Sequence, residues 1–200
     1  MLSIQLQSAI IDFTSRVSSR HQERRNYIGL SSIGGCERVI YDIYTHGVPH
    51  STRERLKDAM GYALEEALVA RLIEMGLYRA ANPIVLYDGL VQGHPDGEVE
   101  GDLLEIKTIE CAKWLPEPPR LPNRVFFQVQ AYMHFAGYQR AHVLYLARDT
   151  GEMRVIGVSH SDTVAEKINA KLDRLVAAVK TGQRPACSCG YCQGSNGGRP

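Results

Sequence analysis

The stretch GHPDGEVEGDLLEIKT, residues 93–108, constrains this chain more than any other. It reads as a short strand, a turn at Gly101-Asp102 and a longer strand, so the chain folds back antiparallel here. On the longer strand Glu105 and Lys107 are two residues apart and share a face. The turn returns Asp96 to a place beside Glu105, which brings two carboxylates and a lysine to one sheet edge. An E-x-K alone carries little information, and a surface hairpin with a cross-strand ion pair would also contain one. Yet Leu103, Leu104, Ile106 and Ile109 mark this strand as partly buried. Buried charges are costly unless paired or metal-bound. Paired carboxylates suit a hard cation such as Mg²⁺ or Mn²⁺, which can activate water and stabilise charge developing on phosphorus.

The flanking sequence predicts α/β architecture. Residues 1–27 look helical but irregular, and end in the basic stretch RHQERR. Ser31 and Ser32 are candidate caps for a short helix through Val39, Ile40, Ile43 and Tyr44, ended by Gly47 and Pro49. Residues 53–76 place Leu56, Met60, Ala63, Leu64, Ala67, Leu68, Leu72 and Met75 on one apolar stripe. Three strand-like runs follow: PIVLYDGLVQG, GEVEG and LLEIKTI. The segment Leu115–Pro122 holds four of the nine prolines and reads as a loop. Residues 123–137 return to helical spacing, AHVLYLA and MRVIGVS read as two more strands, and residues 161–181 form a last amphipathic helix.

Charge and cysteine content narrow the chemistry. Net charge is +1, but residues 1–57, 58–107 and 108–200 carry +3, −7 and +5. An acidic centre between basic flanks can place cations in the middle and a polyanion around them, although segregated solvated faces give the same totals. No apolar run exceeds five residues, which excludes a membrane-spanning helix, and the start lacks a secretory signal; a soluble cytoplasmic protein is expected. Of the five cysteines, Cys187, Cys189 and Cys192 lie within six residues, Cys36 is near the start and Cys111 is central. Clustered thiols in such a chain point to zinc or an iron–sulfur cluster rather than disulfides, against the alternative of a tail with reactive thiols.

Asp96 followed by Glu105-Ile106-Lys107 resembles the PD-(D/E)XK nuclease superfamily in its D-x8-E-x-K form. Gln128 and Tyr132 in FFQVQAYMHF resemble the Q-x-x-x-Y motif of the RecB-like branch, and their i, i+4 spacing puts them on one helical face. The upstream helix of that branch, with a glycine and a metal-binding His or Glu, is matched by Gly61-Tyr62-Ala63-Leu64-Glu65. Glu65 flanks the apolar stripe whereas Glu66 points away from it, so Glu65 is the candidate ligand. One cysteine before the core and three after it is similar to the iron–sulfur nucleases of this branch. These include the CRISPR-associated "Cas-four" exonucleases and the AddB-type nuclease domain. The resemblance spans roughly residues 30–192, and its C-x-C-x2-C tail is tighter than the usual late group.

The resemblance implies a restriction-endonuclease-like core, αβββαβ, with a mixed central sheet flanked by helices. An N-terminal helical region (residues 1–52), a nuclease core (53–181) and a cysteine tail (182–200) are expected, with the two ends joined by a metal cluster. It implies Mg²⁺ or Mn²⁺ held by Glu65, Asp96, Glu105 and the Ile106 carbonyl, with Lys107 positioning water and Gln128 and Tyr132 orienting the strand. Cys36, Cys187, Cys189 and Cys192 would hold a 4Fe–4S cluster, or zinc in its place, while Cys111 reads as a buried apolar residue. The implied activity is hydrolysis of DNA by an exonuclease acting on single strands or single-stranded ends, in recombination, repair or CRISPR adaptation. The rival is a DNA-end-binding adaptor for a partner such as an integrase or recombinase. A zinc-stabilised interaction protein with no nucleic-acid role is the third reading. His94, Trp114, Arg120, Arg124, Arg24, Arg25 and Arg38 are secondary candidates for substrate contact, each as easily explained by packing or solvation.

Overall fold

Burial on β7, Arg140–Ala147, alternates strictly: Ala141, Val143, Tyr145 and Ala147 are buried, and the residues between them are less so. That period of two places β7 in the middle of a sheet with one face packed on a core. The computed structural model describes residues 26–47, 52–110, 120–187 and 189. Among them β7 pairs in parallel with β6, Asp102–Ile109, and antiparallel with β8, Met153–Ser159. Strands β5, Gly97–Val99, and β2, Tyr78–Arg79, extend the other side, giving the mixed order β2-β5-β6-β7-β8. A smaller sheet orders β1, Ile28–Gly29, β4, Val91–Gly93, and β3, Ile84–Leu86, with β1 parallel to β4.

Among the described residues four helices surround these sheets. α1 spans Glu37–His46, α2 Thr52–Glu74, α3 Asn123–Ala136 and α4 Asp162–Thr181. α3 carries an unbroken buried run, Gln128 to Met133, because it packs on β6, β7, the small sheet and the 3-10 turn Leu30–Ser32. α4 lies against α3 and α1 through Ile168, Leu172 and Leu175. One hydrophobic cluster joins Ile28, Leu30, Ile33 and Ile40 to the sheet and to both late helices. α3 and α4 both end at a glycine in the left-handed region, Gly137 and Gly182.

The structure corrects four local expectations. PIVLYDGLVQG is a hairpin, β3 and β4, rather than one strand: Tyr87, Asp88 and Gly89 all take positive φ and turn the chain. The next turn falls on Glu100-Gly101, with φ of 54° and 85°, one residue earlier than Gly101-Asp102. Such paired positive φ values make the primed turn that matches strand twist. Cys36, rather than Ser31 or Ser32, sits at the N-cap of α1, and Ser32 Oγ instead donates to the Gly29 carbonyl. The apolar stripe on α2 is half-covered: Leu56, Leu64, Leu68 and Leu72 are partly buried, but Met60 and Met75 are 55% and 54% exposed. Among the described residues α2 meets only β6 and β2 closely, so one side of the stripe has nothing against it. Most of the proline loop, Cys111 and Trp114 included, lies outside the described residues, as do Arg24 and Arg25.

Gly34 shows how closely the N-terminal segment docks. A Cβ there would stand 2.6 Å from Arg124 Cα and 2.9 Å from its carbonyl oxygen, both backbone atoms of α3. Gly34→Ala is expected to destabilise the protein by about 1–3 kcal/mol through overpacking. The check is a lower urea midpoint at unchanged slope; an unchanged midpoint would show that the contact relaxes freely.

Candidate functional site

β5 stops pairing with β6 at Gly97 opposite Leu104, so beyond that point this edge of β6 is open. Asp96 fills the gap: the Ile106 backbone N–H donates to Asp96 Oδ2 at 2.6 Å. In a strand the N–H and C=O of one residue point the same way, so the Ile106 carbonyl also faces Asp96. The loop carrying Asp96 is pinned on both sides. Tyr78 Oη donates to the Asp96 carbonyl at 2.9 Å, and a Cβ on Gly97 would fall 2.2 Å from the Tyr78 ring. A Cβ on Gly93 would fall 2.8 Å from both Leu30 and Tyr132.

Glu105 is the centre of the arrangement and is only 1% exposed. Its Oε1 accepts from Lys107 Nζ and, at 2.6 Å, from Gln128 Nε2. Gln128 Nε2 also lies 3.4 Å from Tyr132 Oη, one helical turn on. Glu105 Oε2 is buried with no hydrogen-bond partner among the described residues. Glu65 approaches from α2. Gly61, one turn earlier, lets that helix come close to β6, since a Cβ there would be 2.8 Å from Thr108 Oγ1. Glu65 is half-buried and Glu66 is exposed.

The electrostatics follow from crowding acids in a dry place. Burial raises the Glu105 pKa; Lys107 pulls it back, and Asp96 and Glu65 push it up. Asp96 is raised by burial, against the Ile106 hydrogen bond and Lys107. Glu65 is pushed up to about 7, by burial first and then by the Asp96 charge. Burial opposes the charge on Lys107, but Glu105 and Asp96 outweigh it and its pKa is raised. Asp96, Glu105 and the Ile106 carbonyl thus gather around Lys107, with Glu65 near enough to act on the Glu105 charge. Oxygen donors of this kind suit a hard divalent cation, but among the described residues only the three cysteines bring three side-chain ligand atoms within 4.8 Å of one another. Glu65, Asp96, Glu105, Lys107, Gln128 and Tyr132 are therefore neighbours, drawn from two helices, a loop and a strand. His94 is exposed at the rim, its ring 6.0 Å from that of Tyr27, and Arg120 and Arg124 are exposed at the start of α3.

A second centre forms where the segment after α4 meets the start of α1. Cys36 Sγ is 3.5 Å from Cys187 Sγ, which is 3.3 Å from Cys189 Sγ, and the three lie within 4.8 Å of one another. These separations are too long for disulfides at about 2.05 Å and close to the roughly 3.8 Å of thiolates sharing a tetrahedral ion. Cys192 lies outside the described residues. Cys36 stands at the N-cap of α1. Glu37 pairs with Arg174, and Asp42 takes both arms of the Arg184 fork, which draws α4 and the following segment onto α1. Lys171 Nζ donates to the Gly35 carbonyl beside this centre, and burial lowers its pKa.

Sequence reasoning missed Tyr78, Tyr145 and Lys171. Tyr78 and Lys171 act on backbone carbonyls, which leaves no residue-type pattern. Tyr145 enters only through the parallel register that sets it beside Lys107.

No family model matches the chain, and no curated protein sequence matches it. Solved structures do. The protein SSO0001 shares 16% identity over 92% of this chain and 92% of its own, with a TM-score of 0.60. LHK-Exo, an alkaline exonuclease from Laribacter hongkongensis, in complex with dAMP, shares 16% over 80% of this chain and 90% of its own, with a TM-score of 0.58. A phage-related exonuclease from Haemophilus somnus 129PT shares 11% over 74% of this chain and 91% of its own, with a TM-score of 0.52. At these identities the likeness is one of fold: a mixed sheet flanked by helices in the restriction-endonuclease-like arrangement.

The raised Glu65 pKa has a sign that can be tested. The unfolded chain releases this proton near pH 4.5, whereas the folded protein holds it to about 7. Between those values the folded state binds more protons, so this group's contribution to stability falls as pH rises. In EDTA, Glu65→Gln is expected to gain stability relative to wild type from pH 4.5 to 7 and to level off above. Parallel curves of melting temperature against pH would place Glu65 in solvent instead.

Proposed function

We propose that this chain is a divalent-metal-dependent deoxyribonuclease that acts as an exonuclease on single-stranded DNA or on DNA ends. The observation that carries the reading is Glu105 Oε2, buried with no donor among the described residues, with Asp96 and Glu65 near enough to act on its charge. A cation is the partner that such an oxygen fits. Glu65, Asp96, Glu105 and the Ile106 carbonyl hold Mg²⁺ or Mn²⁺ in this reading. The ion supplies an acidified water and charge stabilisation at phosphorus. Lys107, tied to Glu105, positions the attacking water for in-line displacement. Gln128 keeps Glu105 oriented, and with Tyr132 it borders the path of the strand. That several similar structures are exonucleases, one of them in complex with dAMP, supports nucleic acid as the substrate class.

Cys36, Cys187 and Cys189, with Cys192 as the fourth thiolate, hold a structural 4Fe–4S cluster in the same reading. The soft donor set fits iron–sulfur or zinc better than a hard cation, and the sulfur spacing is that of thiolates on a single ion, so a cluster would spread the three sulfurs apart. Anaerobically purified protein is expected to be brown with iron and sulfide bound, and Cys36→Ser to lose both. Colourless protein with stoichiometric zinc would assign zinc.

The central test is cleavage of end-labelled single-stranded DNA with Mn²⁺ or Mg²⁺. EDTA is expected to abolish cleavage and Lys107→Ala to lower it at least about 100-fold. The variant keeps its fold, because Glu105 can take up a proton once its cation is gone. Equal cleavage by both proteins would remove Lys107 from the mechanism. DNA retention without cleavage, at full metal occupancy, would turn the reading toward an end-holding subunit for an integrase or recombinase.

A further inference from the structure

Tyr145 is a buried polar residue that the arrangement above does not use. The alternation of β7 turns it to the packed face, and the parallel register sets it directly beside Lys107, on the face that carries Glu105. It is 3% exposed, and its Oη has no hydrogen-bond partner among the described residues. Glu105 Oε2 is in the same condition, and the Glu105 charge is near enough to disfavour the phenolate. A phenylalanine would fill nearly the same volume without burying a hydroxyl that lacks a partner. Here one unpaired group is a donor and the other an acceptor, on the same face around the same lysine. A single water between them would satisfy both.

We infer that Tyr145 is a positioning residue of the metal site, its hydroxyl holding Glu105 Oε2 through one ordered water so that this oxygen stays turned toward the cation. Lys107 and Gln128 fix only Oε1 and leave the carboxylate free to pivot about it. Tyr145 removes that freedom. The inference rests on the divalent-metal reading above and adds a residue to it.

The test compares full-length wild type, Tyr145→Phe and Glu105→Gln, each with its cysteine centre as purified. Mn²⁺ binding is measured calorimetrically without DNA, the melting temperature is measured in EDTA, and DNA cleavage is followed against substrate concentration. Tyr145→Phe is expected to melt at or above the wild-type temperature, to bind Mn²⁺ about tenfold more weakly and to lose about tenfold in kcat with KM for DNA unchanged. Glu105→Gln is expected to lose Mn²⁺ binding, which checks the metal site independently of Tyr145. Wild-type Mn²⁺ affinity and kcat in Tyr145→Phe, whatever its melting temperature, would reduce Tyr145 to packing while leaving the metal site standing. Absence of Mn²⁺ binding in wild type would overturn the metal reading and this inference together.

Discussion

Burying the Glu105 carboxylate on the central strand is the constraint to which the rest of the molecule answers. An ionised group 1% exposed costs several kcal/mol unless it is paired and hydrogen-bonded. Lys107 comes from the same strand, but Gln128 comes from α3, and its bond to Oε1 ties the seating of that helix to the register of β6. Val129, Ala131 and Met133 then bury the flanks of the same helix. Asp96 takes the free Ile106 amide at the place where β5 ends, so even the open sheet edge is organised by this cluster. Burial raises the pKa of all three carboxyls, and Asp96 adds to the rise at Glu105 and Glu65, which makes the metal-free site less stable at neutral pH than at pH 5. A cation bound there would stabilise the fold through the same carboxylates.

Much of this was legible in the sequence, and the missing parts share a cause. The order of helices and strands followed from periodicity, and α3, α4, β7 and β8 fall within a residue or two of their expected bounds. Glu105, Lys107, Gln128 and Tyr132 were placed by spacing of two and four, which local geometry sets. Glu65 was separated from Glu66 by a helical wheel, and the two do differ in burial as that wheel requires. The hairpin at Tyr87-Asp88-Gly89 was missed although its Asp-Gly pair is a turn signal, because the apolar residues on either side read as one run. The exposed half of α2 could not be foreseen. An amphipathic stripe reports that a helix wants a partner, not how much of the stripe the partner covers. The Lys107–Tyr145 pairing was out of reach for a different reason: parallel register is set by a distant crossover, not by neighbouring residues.

The two centres are joined by backbone rather than by side chains. Cys36 stands at the start of α1, and the two residues before it are glycines that other elements hold in place. Lys171 of α4 grips the Gly35 carbonyl, and the backbone of Gly34 presses on that of Arg124 in the first turn of α3. One turn further along α3 lies Gln128, which fixes Glu105. The thiol centre, the Arg174–Glu37 pair and the Arg184–Asp42 pair therefore all act on the segment against which α3 is seated. Exposed ion pairs of this kind contribute little each. A metal that ties Cys36 to Cys187 and Cys189 acts differently, because it closes a loop of about 150 residues and limits the unfolded chain. Such a clasp would be remote from the carboxylates in function but not in mechanics: it would hold still the turn of helix from which the Glu105 hydrogen bond is made.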